Sequence, residues 1–176
     1  RRILQTIKER ENAGFWYEDA DATLELLIRQ AMPDYRPPFE VIDYLVLGEY
    51  RDGHPMLAEA MVKLRVGDQV LHTAAEGDGP VNALDIATRK ALQAFYPEVA
   101  NIRLEDYKVR VLDDHQGTAA NVRVLIRSAD QQRSWSTVGA SPNVIEASWL
   151  ALADSLTYPL VVGRAERPAG DLVATL

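Results

Sequence analysis

The feature that most constrains the fold of this chain is an internal repeat with a period of about 60 residues. Asp106-Tyr107 repeats Asp43-Tyr44 at an offset of 63. The repeat continues with Val122-Arg123-Val124 after Val62-Lys63-Leu64 at 60, with Thr137 after Thr73 at 64, and with Ile145-Glu146-Ala147 after Val81-Asn82-Ala83 at 64. These offsets predict that the link 50–55 is longer than its counterpart and that the hairpin 128–132 is longer than Gly67-Asp68. A repeat whose register slips only in turns indicates a duplicated structural unit.

Composition narrows the class of protein. At 176 residues the chain is long enough to bury a hydrophobic core. Its formal net charge of −7 argues against a nucleic-acid partner, because the phosphates would be repelled over most of the surface. No apolar run approaches the roughly 20 residues that span a bilayer. No secretory signal is visible, although Arg1 as first residue leaves open that the natural N-terminus is missing. The absence of cysteine excludes disulfides and thiolate metal sites and fits a cytoplasmic protein.

The order of periodic segments predicts an α+β fold. Residues 1–36 are expected to form a short helical connector, which three prolines end. Residues 37–160 then read as two pseudo-symmetric β-β-β-α units, at 39–97 and 102–158. The predicted strands cover 39–50, 57–66, 69–75, 102–112, 118–127 and 133–139, and the predicted helices cover 80–95 and 143–156. The segment 161–176 is expected to be a frayed tail.

The loop before each of these two helices is the candidate binding site. In Gly77-Asp78-Gly79-Pro80 the glycines let the backbone approach a ligand, and Pro80 suits a first helical turn. Free amides and the helix dipole at such a start favour a carboxylate. Ser141-Pro142-Asn143 is expected to offer the same arrangement, with a register that differs by two residues according to whether prolines or helix faces are aligned. For either loop alone, an ordinary helix cap is the simpler interpretation.

Other residues that resemble catalytic or metal-binding motifs have simpler structural interpretations. Arg51-Asp52-Gly53-His54 resembles a catalytic signature, but an Asp-Gly pair between two strands is typical of a turn. His54, His72 and His115 show no metal-binding spacing. No Ser, His and Asp set suggests a nucleophile with its base. We therefore predict no catalytic residue and no metal site.

Several motifs in the same order resemble one known family. They are the Gly77-to-Leu84 stretch, Asp106-Tyr107-Lys108-Val109-Arg110-Val111, Gly117-Thr118-Ala119-Ala120, Thr137-Val138-Gly139 and Ile145-Glu146-Ala147-Ser148-Trp149. Together they resemble the C-terminal regulatory domain of the 2-isopropylmalate and citramalate synthases. Ala75-Glu76-Gly77-Asp78-Gly79-Pro80 and Phe95-Tyr96-Pro97 are most similar to the citramalate branch. The resemblance covers roughly residues 1–160, and Ala20-Asp21-Ala22-Thr23-Leu24-Glu25 resembles the connector to the catalytic barrel.

The resemblance implies a function beyond what the spacing shows. The parent enzymes condense acetyl-CoA with a 2-oxo acid, pyruvate in the citramalate branch, on a metal-dependent barrel that these residues do not contain. The fragment is then expected to be inactive, to need no cofactor of its own, to form a homodimer and to bind an end-product amino acid. Isoleucine is the expected inhibitor. Regulation by leucine, as in a 2-isopropylmalate synthase, and a purely structural dimerisation module remain alternatives.

The resemblance also places the effector site. Its residues are Asp78, Gly79, Pro80, Val81, Asn82, Leu104, Tyr107, Val111, Thr118, Val122, Ser141, Pro142, Asn143 and Val144. The helix amides would bind the carboxylate of the amino acid. Backbone carbonyls, with Asp78 or Asn82, would bind its ammonium group, and the apolar side chains would enclose a branched alkyl group. Asn82 stands where the family often has Asp, which weakens the expectation of a direct charge pair. The face shared by Tyr107 and Val111 would also suit an ordinary core.

Overall fold

The computed structural model describes residues 2–112 and 114–166 of the chain. In that part the elements are helices α1 (Arg2–Asn12), α2 (Asp21–Gln30), α3 (Pro80–Leu92) and α4 (Val144–Glu166), and strands β1 (Glu40–Glu49), β2 (Leu57–Val66), β3 (Gln69–Gly77), β4 (Arg103–Val111), β5 (Val122–Ala129) and β6 (Ser134–Ser141). Two short 3-10 segments, Pro97–Asn101 and Asp114–Ala119, flank β4. The predicted α+β class, the β-β-β-α order and the N-terminal helical region are confirmed.

The strands form two separate antiparallel sheets of the same design. Sheet A has the order β1-β2-β3 and sheet B the order β4-β5-β6. The first strand of each sheet carries a β-bulge at the same place, between Val41 and Asp43 in β1 and between Leu104 and Asp106 in β4. A bulge inserts one unpaired residue and bends its strand. Its recurrence in both sheets shows that the duplication extends to backbone irregularities.

The register of the repeat differs from the sequence alignment in the second strand. Val62 pairs with Tyr44 and Thr73, and Ile126 pairs with Tyr107 and Thr137. Val62 and Ile126 are therefore equivalent, at an offset of 64 rather than 60. The expected match of Val62-Lys63-Leu64 with Val122-Arg123-Val124 was wrong, because alternating apolar and basic residues look alike after a slip by an even number of positions.

The two predicted differences in turn length were wrong for the same reason. The amide of Asp130 donates to the carbonyl of Arg133 at 3.0 Å and closes the second hairpin around Gln131-Gln132, the same length as Gly67-Asp68. The link between the first two strands is longer in the second unit (112–121) than in the first (50–56). The offset therefore changes once, from 63 to 64, in that link.

Each helix crosses its own sheet through the same hydrogen bond. Thr73 Oγ1 donates to the carbonyl of Ala87, and Thr137 Oγ1 donates to the carbonyl of Ala151, both at 2.7 Å. Since a Cβ on Gly77 would meet Ala83, four residues before Ala87, α3 runs antiparallel to β3 and therefore to β1.

Helix α4 lies between the two sheets. It packs on β5 and β6, while the ring of its Trp149 lies 5.1 Å from that of Tyr44 in β1. Val41, earlier in β1, lines a cavity with Ala153 and Thr157, later in α4. Helix α4 therefore runs antiparallel to β1, as α3 does, and both helices start at the same end of the molecule.

One hydrophobic core joins the two units. Its largest fully buried side chains come from both sheets and both central helices: Val62, Leu64, Leu84, Leu92, Val124, Ile126, Leu152 and Leu156. The alternation predicted for β2 is confirmed, since Ala60, Val62 and Leu64 are buried and Met61 and Arg65 are exposed.

The connector helices cover the face of sheet B that α4 leaves free. Phe15, Tyr17 and Leu27 pack with Val138 and Ala140 in a second, smaller core. Helix α2 also protects the open edge of β6. Thr23 Oγ1 accepts from the amide of Val138 at 3.0 Å and Asp21 Oδ1 accepts from the amide of Ser136 at 3.3 Å. Such bonds satisfy edge groups that would otherwise invite another strand.

Helix α4 is longer than its sequence predicts. It continues past Leu156 and through Pro159 to Glu166, into the segment for which fraying was expected. Leu160 is only 3% exposed, so burial holds the helix together beyond a residue that lacks a backbone donor. Residues 167–176 lie outside the described residues. Helix α3, by contrast, ends at Leu92 rather than at residue 95, and β5 starts at Val122 rather than at 118.

Candidate functional site

The first turn of α3 has unsatisfied amide donors that no side chain caps. Its N-cap is Gly79, with an extended backbone (φ −163°) and no side-chain cap, followed by Pro80. The amide of Ala83 donates to the carbonyl of Gly79 at 2.9 Å, as in any first helical turn. Because Pro80 has no N–H, the helical residues whose amides have no intrahelical partner are Val81 and Asn82, after the N-cap amide of Gly79. These two amides and the positive end of the helix dipole suit a ligand carboxylate.

The loop before α3 is shaped by Gly77 and Asn82. Asn82 Oδ1 accepts from the amide of Asp78 at 3.0 Å, which turns the loop over the helix start. A Cβ on Gly77 would lie 2.5 Å from the amide nitrogen of Ala83 and 2.7 Å from Asn82 Oδ1. Glycine is therefore required at 77 by the close approach of strand and helix, whereas a Cβ on Gly79 would meet nothing within 4 Å. Asp78 and Asn82 are both exposed beside the free amides.

The start of α4 is arranged differently, because its own side chains cap it. Asn143 Oδ1 accepts from the amides of Ile145 at 2.9 Å and Glu146 at 3.3 Å. Ser141 Oγ accepts a hydrogen bond from the amide of Asn143 at 3.0 Å and donates one to the Glu146 carboxylate. Ile145 and Glu146 are the counterparts of Val81 and Asn82 at an offset of 64. The expected second carboxylate site is therefore internally satisfied.

The register of the second loop follows the helix faces and not the prolines. The amide of Ala147 donates to the carbonyl of Asn143 at 2.9 Å, which makes Asn143 the counterpart of Gly79. Pro142 precedes the N-cap, whereas Pro80 follows it. The signal for this was present in the sequence, since Asn143 followed three residues later by Glu146 is the spacing of a capping box.

An apolar surface on β4 extends from the same end of the molecule. Tyr107, Val109 and Val111 are 37%, 47% and 50% exposed, on the face of sheet B that carries α4. Ser148 Oγ donates to the carbonyl of Val144 at 2.7 Å, so its 2.7 Å contact with the Tyr107 hydroxyl has tyrosine as donor. Ser148, which belongs to a family motif but not to the predicted site residues, thus fixes the ring of Tyr107 against the first turns of α4.

The structure places most of the predicted site residues at one end of the molecule. Val111, Val122 and Ser141 form one row across sheet B, next to Pro142, Asn143 and Val144 at the start of α4. Because the two helices start at the same end, Asp78, Gly79, Pro80, Val81 and Asn82 lie at that end as well.

Two predicted site residues are placed differently. Leu104 pairs with Ser128 at the opposite end of β4, about 20 Å along the strand from Val111. Thr118 lies in the 3-10 segment before β5 rather than on a strand, and it is exposed. Leu104 and Val111 of one chain therefore cannot both touch one small ligand.

The electrostatics at the helix starts differ between the two units. Burial, and then the carboxylate of Glu146, raise the pKa of Tyr44 above its usual value. A negative charge therefore stands at the start of α4 next to the tyrosine of the other unit. The α3 start has Asn82 at the position of Glu146, so no carboxylate of its own first turn opposes an incoming anion there.

The remaining sequence motifs show no functional site in the described residues. The amide of His54 donates to the carbonyl of Arg51 at 3.1 Å and Gly53 has φ +74°, so the predicted turn is confirmed. Within residues 2–112 and 114–166 no three His, Asp or Glu side chains are grouped as metal ligands. The side chain of His115 lies outside the described residues. None of the described helices has the length and apolarity to cross a membrane.

Known proteins resemble most of this chain. The LeuA allosteric (dimerisation) domain family matches residues 18–160. The (R)-citramalate synthase of Geobacter sulfurreducens is 50% identical over 159 residues, which are 90% of this chain and 30% of that protein. The (R)-citramalate synthase of Aquifex aeolicus is 47% identical over 162 residues, 92% of this chain and 31% of the relative. A 2-isopropylmalate synthase of Shewanella amazonensis is 35% identical over 95 residues, 54% of this chain and 17% of the relative.

The match agrees with the architecture described above. It covers both β-β-β-α units and α2, and the chain spans about 30% of the length of the (R)-citramalate synthases that it matches over nine-tenths of its own length. The resemblance expected from the sequence motifs is thereby confirmed. The chain belongs to the LeuA allosteric (dimerisation) domain family.

Proposed function

We propose that this chain is the regulatory part of an (R)-citramalate synthase, that it dimerises, and that it binds isoleucine as a feedback inhibitor. The observation that carries the proposal is the start of α3, which has a glycine N-cap and no side chain that caps the amides of its first turn. The counterpart start of α4 is closed by Asn143. One open carboxylate site at the same end as an exposed apolar surface suits a free amino acid with an alkyl side chain.

The chemistry of the site assigns a role to each part. The amides of Val81 and Asn82 would bind the carboxylate, as helix starts bind anions. The Asp78 carboxylate, with carbonyls of the loop, would bind the ammonium group. The alkyl chain would lie against the apolar row of Val111 and Val122. Hydrogen bonds to charged groups contribute about 1.5–3 kcal/mol each, so the two charged ends supply most of the affinity.

Dimerisation is proposed to use the exposed face of β4. Strongly exposed apolar side chains on a sheet edge are costly in water, and a second copy would remove them from it. In a dimer, Leu104 of one chain could approach a site from which it is too distant within its own chain. This would reconcile the family pattern with the 20 Å separation along β4.

The activity belongs to the longer protein. We propose that the parent condenses acetyl-CoA with pyruvate on the route to isoleucine. The divalent metal and acetyl-CoA would bind in the part of the relatives' length that this chain does not span. Inhibition requires that isoleucine bind one conformational state better than another, and a coupling of about 1–3 kcal/mol would suffice.

Calorimetric titration of the purified chain with L-isoleucine, L-leucine and L-valine tests the proposal. Micromolar binding of isoleucine with much weaker leucine binding is the expected result. A one-methyl rearrangement is worth about 1–3 kcal/mol, so the affinities should differ by about 10- to 200-fold. A preference for leucine would indicate the regulatory domain of a 2-isopropylmalate synthase. A folded dimer that binds none of the three would be a structural dimerisation module and would contradict the proposed regulation.

A further inference from the structure

The proposed effector site lies at one end of sheet B, on the face that carries α4. The connector packs on the opposite face of the sheet at the same end. Val111, Val122 and Ser141 form the row on the α4 side. Their sequence neighbours Arg123 and Ala140 point away from α4, because side chains alternate along a strand. Leu112, the residue after β4, has its side chain on the same side, next to Gly14. Any movement of one row therefore moves the other, since both belong to the same three backbone segments.

Leu112, Arg123 and Ala140 all lie against one point of the connector. That point is Gly14, between α1 and α2, whose φ is +103°. A Cβ on Gly14 would lie 2.6 Å from Leu112 Cδ1 and 3.4 Å from Ala140 Cβ. Arg123 Nε donates to the carbonyl of Gly14 at 2.6 Å, and its guanidinium lies 5.8 Å from the centre of the Trp16 ring. The turn between the two connector helices therefore packs on sheet B directly behind the proposed effector site.

Arg123 is held there against an electrostatic cost. It pairs across the sheet with Arg110, and like charges directly opposite each other are destabilising. Burial, and then Arg110, lower the pKa of Arg123 below its usual value. Arg123 is half-buried, and its hydrogen bond to the carbonyl of Gly14 offsets part of this cost.

Unit one has no counterpart of this contact. At an offset of 64 the positions of Arg123 and Ala140 are occupied by Glu59 and Glu76. On that face of sheet A the side chains of Leu45, Leu47 and Met61 are 55%, 48% and 37% exposed. The Gly14 contact therefore joins the connector to unit two.

We infer that Arg123 is a positioning residue that couples ligand binding at the Val111, Val122 and Ser141 row to the docking of the connector turn at Gly14. The inference rests on the proposed function, because it concerns the regulation of that site. The two-state element is the turn around Gly14, either seated on Leu112, Arg123 and Ala140 or released from them. A ligand that changes the spacing of the strand ends shifts this equilibrium and so reaches the helices N-terminal to the regulatory units.

Hydrogen exchange with and without ligand tests the inference. Amide exchange of residues 2–30 is measured by mass spectrometry in the presence and absence of saturating L-isoleucine, L-leucine or L-valine, whichever binds by calorimetry. Ligand is expected to change exchange around Gly14 by about 5-fold or more, the lower end of ordinary allosteric coupling. In Arg123→Gln the chain should still bind ligand, but the ligand-induced change should be lost.

Three further variants separate coupling from general damage. Arg127→Gln removes a guanidinium from the same face of β5, where Arg127 is ion-paired at 3.7 Å with Glu105 of β4, and it should behave as the parent chain. Gly14→Ala attacks the same contact from the connector side and should reproduce the loss, which keeps the test valid if Arg123→Gln folds poorly. Arg123→Lys retains the charge and should restore part of the change.

The possible outcomes distinguish a failure of the Arg123 coupling from a failure of the proposed function. Binding without any change in connector exchange, or a change that persists in Arg123→Gln and Gly14→Ala, overturns the coupling and leaves the proposed function intact. A parent chain that binds none of the three amino acids overturns both.

Discussion

Gly79 and Asn143 occupy the same N-cap position in the two repeated units, 64 residues apart, yet only Asn143 caps its helix with a side chain. The duplicated fold thus keeps one helix start open and closes the other.

The first prediction is that Gly79→Asn closes the proposed site. The backbone at position 79 is extended, and a Cβ there would meet nothing within 4 Å, so asparagine should fit. Its side chain should then cap the amides of Val81 and Asn82. The free energy of unfolding should rise by a few tenths of a kcal/mol, about the difference between asparagine and glycine at an N-cap. Affinity for the amino acid should fall about tenfold or more, because the carboxylate loses a charged hydrogen bond. Calorimetry and urea unfolding measure the two effects.

Gly79→Ala is the matched control for that variant. It adds a methyl group that cannot cap the helix, and it should bind the amino acid as the parent chain does. Unchanged affinity in Gly79→Asn would place the carboxylate elsewhere.

The second prediction concerns the threonine bond that each unit repeats. Thr137 is fully buried, whereas Thr73 is half-buried, although both donate to a helix carbonyl at 2.7 Å. Thr137→Val should lower the free energy of unfolding by about 1 kcal/mol, and Thr73→Val by less, because water can replace the lost bond there. Denaturant unfolding of the two variants checks the order. Equal losses would show that burial does not decide the strength of this bond.

The third prediction contrasts two glycines associated with α4. A Cβ on Gly139 would collide with the carbonyl oxygen of Ala147 and lie 2.9 Å from Leu150 Cβ, so Gly139→Ala should destabilise by about 1–3 kcal/mol. Gly163 lies in α4 with nothing within 4 Å of the added Cβ. Gly163→Ala should therefore stabilise by about 0.5–1 kcal/mol through helix propensity. Thermal unfolding should give opposite signs, and stabilisation by Gly139→Ala would refute the assignment of close packing to Gly139.

The fourth prediction tests the proposed dimer surface. Val109 on the α4 face of β4 is 47% exposed, and Leu47 on the outer face of sheet A is 48% exposed. Their equal exposure makes a matched pair. Val109→Asp should produce a monomer, because a charge would have to be buried between two chains, whereas Leu47→Asp should leave the dimer intact. Sedimentation velocity distinguishes the two. A monomer from Leu47→Asp instead would move the interface to sheet A.

The fifth prediction is a pH dependence from Asp154. Burial raises the pKa of this carboxyl group from 3.8 to about 7. Between these values the folded chain holds a proton that the unfolded chain releases, so stability from this group falls as the pH rises from about 4 to about 7. Asp154→Asn stays neutral and should be more stable than the parent above pH 7, with a smaller difference near pH 4. Thermal unfolding at pH 5 and 8 measures this.

A control for the pH effect is an acid outside the core. Asp68→Asn removes an acid from the exposed turn of the first hairpin and is compared with the parent chain at the same two pH values. A parent chain and Asp154→Asn that respond identically to pH would show that Asp154 is ionised in the fold.

Local patterns predicted the strands that have one covered face. Ala60, Val62, Leu64 and Val66 alternate with exposed or half-exposed residues, and β2 spans Leu57–Val66 as expected. In β5 and β6 both faces are covered, by α4 and by the connector, so alternation is weak and the predicted ends were displaced. Burial of Leu160 likewise carries α4 through Pro159 and beyond residue 156, where the sequence predicted its end.

The effector site stays a prediction, and the structure bears only on where its residues lie. The family motifs identified the residues of both loops, and the fold brings most of them to one end of the molecule. Their spacing could not show that Asn143 satisfies the amides that Gly79 leaves free, because a cap depends on the register of the helix start. Nor could it show that β4 separates Leu104 from Val111.

The sequence alone determined the duplicated β-β-β-α design, the family and the candidate residues, because these depend on periodicity and on motifs that are read along the chain. The tertiary structure decided the true offset of 64, the open and closed helix starts, and the seating of Gly14 on Arg123. Those features arise from contacts between residues up to 109 positions apart. Contacts of that kind are fixed by packing and register, which local patterns do not encode.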